Sequence, residues 1–134
     1  MAERDDTMVR VQQLFDTHGI RDGHAGDKPY VLTVRDHVPP GWFGLVKELV
    51  EDLIRHGWDR RLFQVKEKFG ALRFYISYED KALVDKTIEA RDRSETICQE
   101  CGKPGTMLED HGWYSTLCTG CGARWRAERA GRER

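Results

Sequence analysis

Cys98-Gln99-Glu100-Cys101, answered sixteen residues later by Cys118-Thr119-Gly120-Cys121, contains all four cysteines of the chain. Two residues between thiols let one tight turn offer both sulfurs to a single ion, and a second such turn completes a tetrahedron. The spacing is that of a four-thiolate zinc site. Gly102 and Gly122 follow the two pairs, where a missing Cβ lets the backbone fold back and aim N–H groups at sulfur. Between the pairs, Thr106-Met107-Leu108 and Tyr114-Ser115-Thr116-Leu117 read as short strands, with Glu109-Asp110-His111-Gly112 as their turn. Knuckle, hairpin, knuckle is the layout of a zinc ribbon. Cys98, Cys101, Cys118 and Cys121 are therefore expected to hold one Zn2+.

Other readings of four cysteines fit less well. Disulfides need an oxidising compartment, and the opening Met-Ala-Glu-Arg-Asp-Asp is unlike a secretion signal. A thioredoxin-like site uses one C-x-x-C on a βαβ frame. Four cysteines also fill four coordination positions, whereas a catalytic zinc keeps one for water. Neither H-E-x-x-H nor a deaminase pattern occurs. The expected zinc is structural, worth on the order of 10 kcal/mol to folding at neutral pH.

Outward from the knuckles, the chain reads as an α+β protein: a small antiparallel hairpin packed with two to three helices, plus the C-terminal ribbon. A body of residues 1–97 precedes a ribbon of 98–134 that ends in a short basic helix. Residues 1–19 predict a first helix, with Met8, Val11, Leu14 and Phe15 on one narrow face, Thr7 as cap and Gly19 as terminator. Residues 20–29 predict a polar loop in which His24 is solvated, and Tyr30–Val34 predicts a strand. After Pro39-Pro40 comes the strongest pattern, Gly41 to His56. Trp42, Leu45, Val46, Leu49, Val50, Leu53 and Ile54 share one face, and Gly57 is placed to cap the end.

Phe63–Phe69 and Leu72–Tyr78 alternate apolar and polar residues, and a Gly70-Ala71 loop between them suits a type II′ hairpin. One face is apolar. The other carries Lys66, Lys68, Arg73 and Tyr75, a combination that suits either phosphate and base contacts or a solvated sheet face. Glu79-Asp80 opens a further helix, with Leu83, Val84, Thr87, Ile88 and Arg91 along one side, running into the first knuckle. The tail beyond Cys121 holds five arginines (124, 126, 129, 132, 134) against Glu128 and Glu133.

Bulk properties narrow the function classes. The 134 residues are 39% hydrophobic and 34% charged, with a net charge of −1. A chain so balanced is not built to coat nucleic acid or adsorb to membranes, and no apolar run approaches the ~18 residues of a membrane span. A cytoplasmic protein is expected. Asp36-His37 and Asp110-His111 are the acid–base candidates, and neither has a nucleophile at a motif spacing.

Gln64-Val65-Lys66-Glu67-Lys68-Phe69-Gly70-Ala71-Leu72-Arg73-Phe74-Tyr75, the preceding Gly41-Trp42, the Cys98–Gly105 knuckle and the Gly112–Cys121 knuckle occur in a specific order. Over roughly residues 41–122 this order resembles small zinc-ribbon proteins of bacteria and their phages. That resemblance implies a ribbon fused to a small α+β body and carries no established activity. Three functions follow as expectations. The first is a non-enzymatic zinc protein recognising another macromolecule, a protein by preference given the charge, in a phage–host or defence setting. The second is a nucleic-acid accessory factor using Lys66, Lys68, Arg73 and Tyr75 with Arg124, Arg126 and Arg129. The third is a small hydrolase or nuclease using the Asp-His pairs.

Overall fold

The computed structural model describes residues 2–132, with side chains from Asp6 onward. Arg134 and Glu133 of the expected basic tail, and Met1, lie outside the described residues. The architecture is α+β. Its elements are α1 (Ala2–Thr17), β1 (Arg21–Asp22), a 3-10 turn (Pro40–Trp42), α2 (Phe43–Arg55), β2 (Arg61–Leu62), β3 (Gln64–Lys68) and β4 (Ala71–Tyr75). They continue with α3 (Lys81–Ser94), β5 (Thr106–Asp110), β6 (Trp113–Leu117) and α4 (Thr119–Arg132). Among the described residues the strands pair in twos: β1 with β2 in parallel, β3 with β4 and β5 with β6 antiparallel.

The core forms where the apolar face of α2 meets the β3–β4 hairpin. Trp42, Val46, Val50, Leu53, Leu62 and Val65 are fully buried there. The α1 helix contributes Val11 and Phe15, also fully buried, so its narrow apolar face is an integral wall of the core. Thr7 lies inside this helix, whose start is at Ala2, and is not its cap. The end of α2 obeys the sequence: Gly57 has φ +90, its N–H reaches the Ile54 carbonyl, and Trp58 N–H reaches Leu53. Those two bonds make a Schellman motif, and they fold Trp58 back against Phe74 at 5.8 Å between ring centroids. Asp80 caps α3 by accepting from the N–H groups of Ala82 and Leu83.

Residues 30–34 do not form the expected strand. Asp36, almost fully buried, accepts from the Tyr30 hydroxyl (2.7 Å), from Thr33 N–H (2.9 Å) and from Val65 N–H (3.2 Å). Local side-chain bonds of this kind outcompete a ladder. The segment becomes a loop buttressing β3, with Val31 and Val34 in solvent. Burial, then the Asp36 hydrogen bond, push the Tyr30 phenol far above its ordinary range.

The β3–β4 hairpin is shifted by one residue from expectation. Lys68 pairs with Ala71, so the loop is Phe69-Gly70, both with positive φ (55 and 80). That is a type I′ turn and not type II′. Glu67 stabilises it, its carboxylate accepting from Gly70 N–H at 2.7 Å. Phe69 consequently leaves the apolar face and stands exposed at the tip, and Tyr78, beyond the strand, is exposed too. Phe63 is only half-buried, against Gly23 and His24. The β5–β6 hairpin repeats the device: its loop is His111-Gly112, φ 51 and 83, and Glu109 accepts from Gly112 N–H at 2.8 Å. The strands are longer and the turn two residues shorter than the sequence suggests.

Candidate metal centre

The first knuckle follows directly from the end of α3. Trp42 donates its indole N–H to the Ile97 carbonyl (2.8 Å), and Gly41 N–H meets the Gln99 carbonyl (2.6 Å). A Cβ on Gly41 would strike the Cys98 carbonyl, so only glycine lets the 3-10 turn approach this closely. Gly102, at φ +80, closes the turn by donating to the Cys98 carbonyl. The second pair is built differently. Thr119 starts α4, so Cys121 and Gly122 lie within the first turn of a helix. Gly122 is helical and not a knuckle glycine of the expected kind; a Cβ there would press on Leu108 at 2.8 Å. Its N–H goes to the Cys118 carbonyl, while Cys121 N–H points at the Cys118 sulfur, 3.4 Å away.

These elements bring Cys98, Cys101, Cys118 and Cys121 together with their sulfurs all within 4.8 Å of one another. Cys101 and Cys118 are 3.7 Å apart. That is far beyond a disulfide bond of ~2.05 Å. It matches the ~3.8 Å between ligands of a tetrahedral ion holding sulfur at ~2.3 Å. The four are free thiols, with Cys98 fully buried and Cys101 at the surface. The Cys121 N–H bond holds the Cys118 thiol down to about 6. Burial, then the neighbouring Cys118 sulfur, push Cys121 up to about 12. The donor set and spacing fit a metal ion. No family model, curated protein or solved structure matches this chain. The centre is therefore defined by its own geometry.

Gln99, inside the first knuckle, does what sequence reading missed. Its side-chain oxygen accepts from Thr116 N–H (2.7 Å) and Ser115 hydroxyl (3.2 Å), while its own N–H donates to the Thr116 carbonyl (2.9 Å). The outer edge of β6 is thus paired to the knuckle. Thr116 in turn donates its hydroxyl to the Gly70 carbonyl at 2.7 Å, joining the two hairpins. Nothing in a C-x-x-C pattern marks the residue between the cysteines as the edge partner of a strand.

The three tail arginines, all on α4, have different surroundings. Arg129 is an internal tie: it donates to Asp110 at 2.6 Å and lies 5.3 Å from the Trp113 ring centroid and 5.4 Å from that of Trp125. Arg124 donates to the Cys121 sulfur at 3.5 Å, and Arg126 is exposed beside Trp125. On the hairpin, Lys66, Arg73 and Tyr75 share the face opposite Val65 and Phe74, with Lys66 directly opposite Arg73. Lys68 shares that face, its ammonium 5.5 Å from the exposed Phe69 ring.

The aspartates of the two Asp-His pairs are engaged. Asp36 accepts from Tyr30 O–H, Thr33 N–H and O–H, and Val65 N–H, and Asp110 binds both Arg129 and His111 (2.8 Å). The Arg129 bond, outweighing the burial penalty and helped by the His111 bond, holds the Asp110 carboxyl below its usual range.

Proposed function

We propose that this chain is a non-enzymatic, zinc-stapled recognition protein whose partner is another protein. Four thiolates around one Zn2+ leave no position for substrate or water, so the ion supplies only rigidity. What it makes rigid is specific. Phe69 at one hairpin tip and Tyr114 on the other hairpin meet edge to face at 6.2 Å, and both stay exposed, with Trp113 next to Tyr114. The Phe69–Tyr114 contact carries the reading. Aromatic side chains pre-ordered on two stapled hairpins are the composition of a protein-binding hot spot, and Phe69 holds its place by a left-handed backbone that L residues avoid. Gly70 is buried under Met107, where a Cβ would collide with the thioether, so the tip of β3–β4 is fixed on the flank of β5–β6.

The resemblance to bacterial and phage ribbon proteins gives this reading its setting, a host or defence protein as partner. Among the described residues, no helix is long and apolar enough to cross a membrane. The test is capture from a nuclease-treated bacterial lysate by the zinc-loaded chain and by a Phe69→Ser/Tyr114→Ser/Trp113→Ser variant. A protein retained by the first and lost by the second, at unchanged zinc content, supports the reading. Equal retention by both removes these aromatics from the interface.

A further inference from the structure

A different surface points to a second ligand. Lys66 and Arg73 are direct cross-strand partners, both half-buried. Like charges so placed oppose the pairing. Neither has a carboxylate partner among the described residues, and Arg73 Nε is shut off from solvent without an acceptor. A buried guanidinium N–H without an acceptor is a standing cost; an anion at the accessible end of the half-buried Arg73 side chain offsets the like-charge penalty.

The surroundings specify the anion. Between β4 and α3 lies a recess of about 150 Å³, where Arg73 is joined by Arg91, Tyr75, Tyr78 and Thr87. The nearest carboxylate to Arg91 is the adjacent Asp92, at 3.8 Å. Tyr75 and Tyr78 also form one wall of an open cleft of about 810 Å³, in which Phe63, His24 and Arg35 take part. Tyr78 is 79% exposed and offers a free ring face. Two carboxylates reach this cleft, and both are engaged: Asp22 by His24 N–H, Asp36 by Tyr30, Thr33 and Val65. A cationic recess sized for a group thus adjoins an aromatic cleft sized for a ring system, with two tyrosines between them. Alternating phosphates and flat bases match that pattern, and the bases must be unstacked to reach the rings.

We propose that the Arg73–Arg91 recess, with Lys66 across the hairpin from Arg73, and the Tyr75–Tyr78 wall form a binding site for single-stranded nucleic acid. Lys66 and Arg73 neutralise backbone phosphate, and Tyr78 stacks a base. A phosphorylated peptide would use the recess and leave the aromatic cleft empty. The tail arginines and Lys68 are not part of this site, and its ligand is independent of the hairpin tips.

Fluorescence anisotropy of a labelled oligothymidylate of about 16 nucleotides, titrated with the zinc-loaded full chain, tests this. Binding is expected at about 50 mM salt and falls steeply toward about 200 mM. A Lys66→Gln/Arg73→Gln variant should weaken it at least ten-fold and reduce the salt slope by about 1.4, the value for two single-strand phosphates. Tyr78→Ala should weaken it about five-fold or more; being exposed, that side chain can be removed without touching the core, so this variant decides the matter if the double variant does not fold. A duplex of the same sequence should bind more weakly. No binding at low salt, unchanged binding by the folded variants, preference for the duplex, or binding of a phosphotyrosine peptide in place of the oligonucleotide would each overturn the proposal.

Discussion

The Thr116 hydroxyl donates to the Gly70 carbonyl across 2.7 Å, both groups buried, and so ties the ribbon hairpin to the tip of the body hairpin. On either side of this bond the chain uses backbone that only glycine tolerates: Gly70 beneath Met107, and Gly41 against the first knuckle. The four-cysteine centre, the 3-10 turn, the ribbon strands and the tip of the body hairpin are therefore packed together.

Thr116→Val keeps the shape and removes the donor, leaving the Gly70 carbonyl buried without its partner. The expected loss is about 1–3 kcal/mol, read from urea unfolding of the zinc-loaded protein. A loss below about 0.5 kcal/mol would mean that water replaces the hydroxyl.

Gly41→Ala should destabilise by about 3 kcal/mol or more, because the new methyl meets a carbonyl and not a movable side chain. The displaced backbone belongs to Cys98, so zinc should also be lost to a competing chelator faster than from the parent chain. Thermal unfolding and chelator-competition kinetics read the two effects. Unchanged kinetics would separate the 3-10 turn from the metal centre.

The Asp110 carboxyl is held below its ordinary value chiefly by Arg129. A group depressed in the folded state contributes stability that is present above the unfolded-state value, ~3.9, and fades as pH falls through the folded one. Asp110→Asn should remove that acid-side dependence at the β5–β6 tip and leave the stability–pH curve above about pH 6 with the same slope. Tryptophan fluorescence suits the measurement, since Trp113 and Trp125 flank Arg129. Identical acid limbs in the two proteins would contradict the role given to this pair.

Where periodicity and spacing dominate, the sequence was legible. The α2 stripe, its Gly57 terminator, the Glu79-Asp80 opening of α3 and the cysteine spacing all led to the observed elements. Where one polar side chain redirects the backbone, it was not. Asp36 turned the β-prone Tyr30–Val34 into a buttress, and Glu67 drew the hairpin loop back one residue, moving Phe69 from core to surface. The shared face of Lys66, Lys68, Arg73 and Tyr75 was legible from period-two alternation, but the partners that other elements bring to the arginines were not. Arg129 went inward to Asp110, while Arg91 and Tyr78, from other segments, joined Arg73. Those groupings depend on how α3 and α4 seat, which no local pattern encodes.

Cys98, Cys101, Cys118 and Cys121 stand at the junction of these parts, placed to hold one metal ion. Zinc content of the purified chain and of Cys98→Ser, measured side by side by elemental mass spectrometry, tests this most directly. One zinc per parent chain is predicted, and none in the variant, which should also lose order in β5, β6 and α4. Zinc retained at full content by Cys98→Ser, or absent from the parent chain, would contradict it.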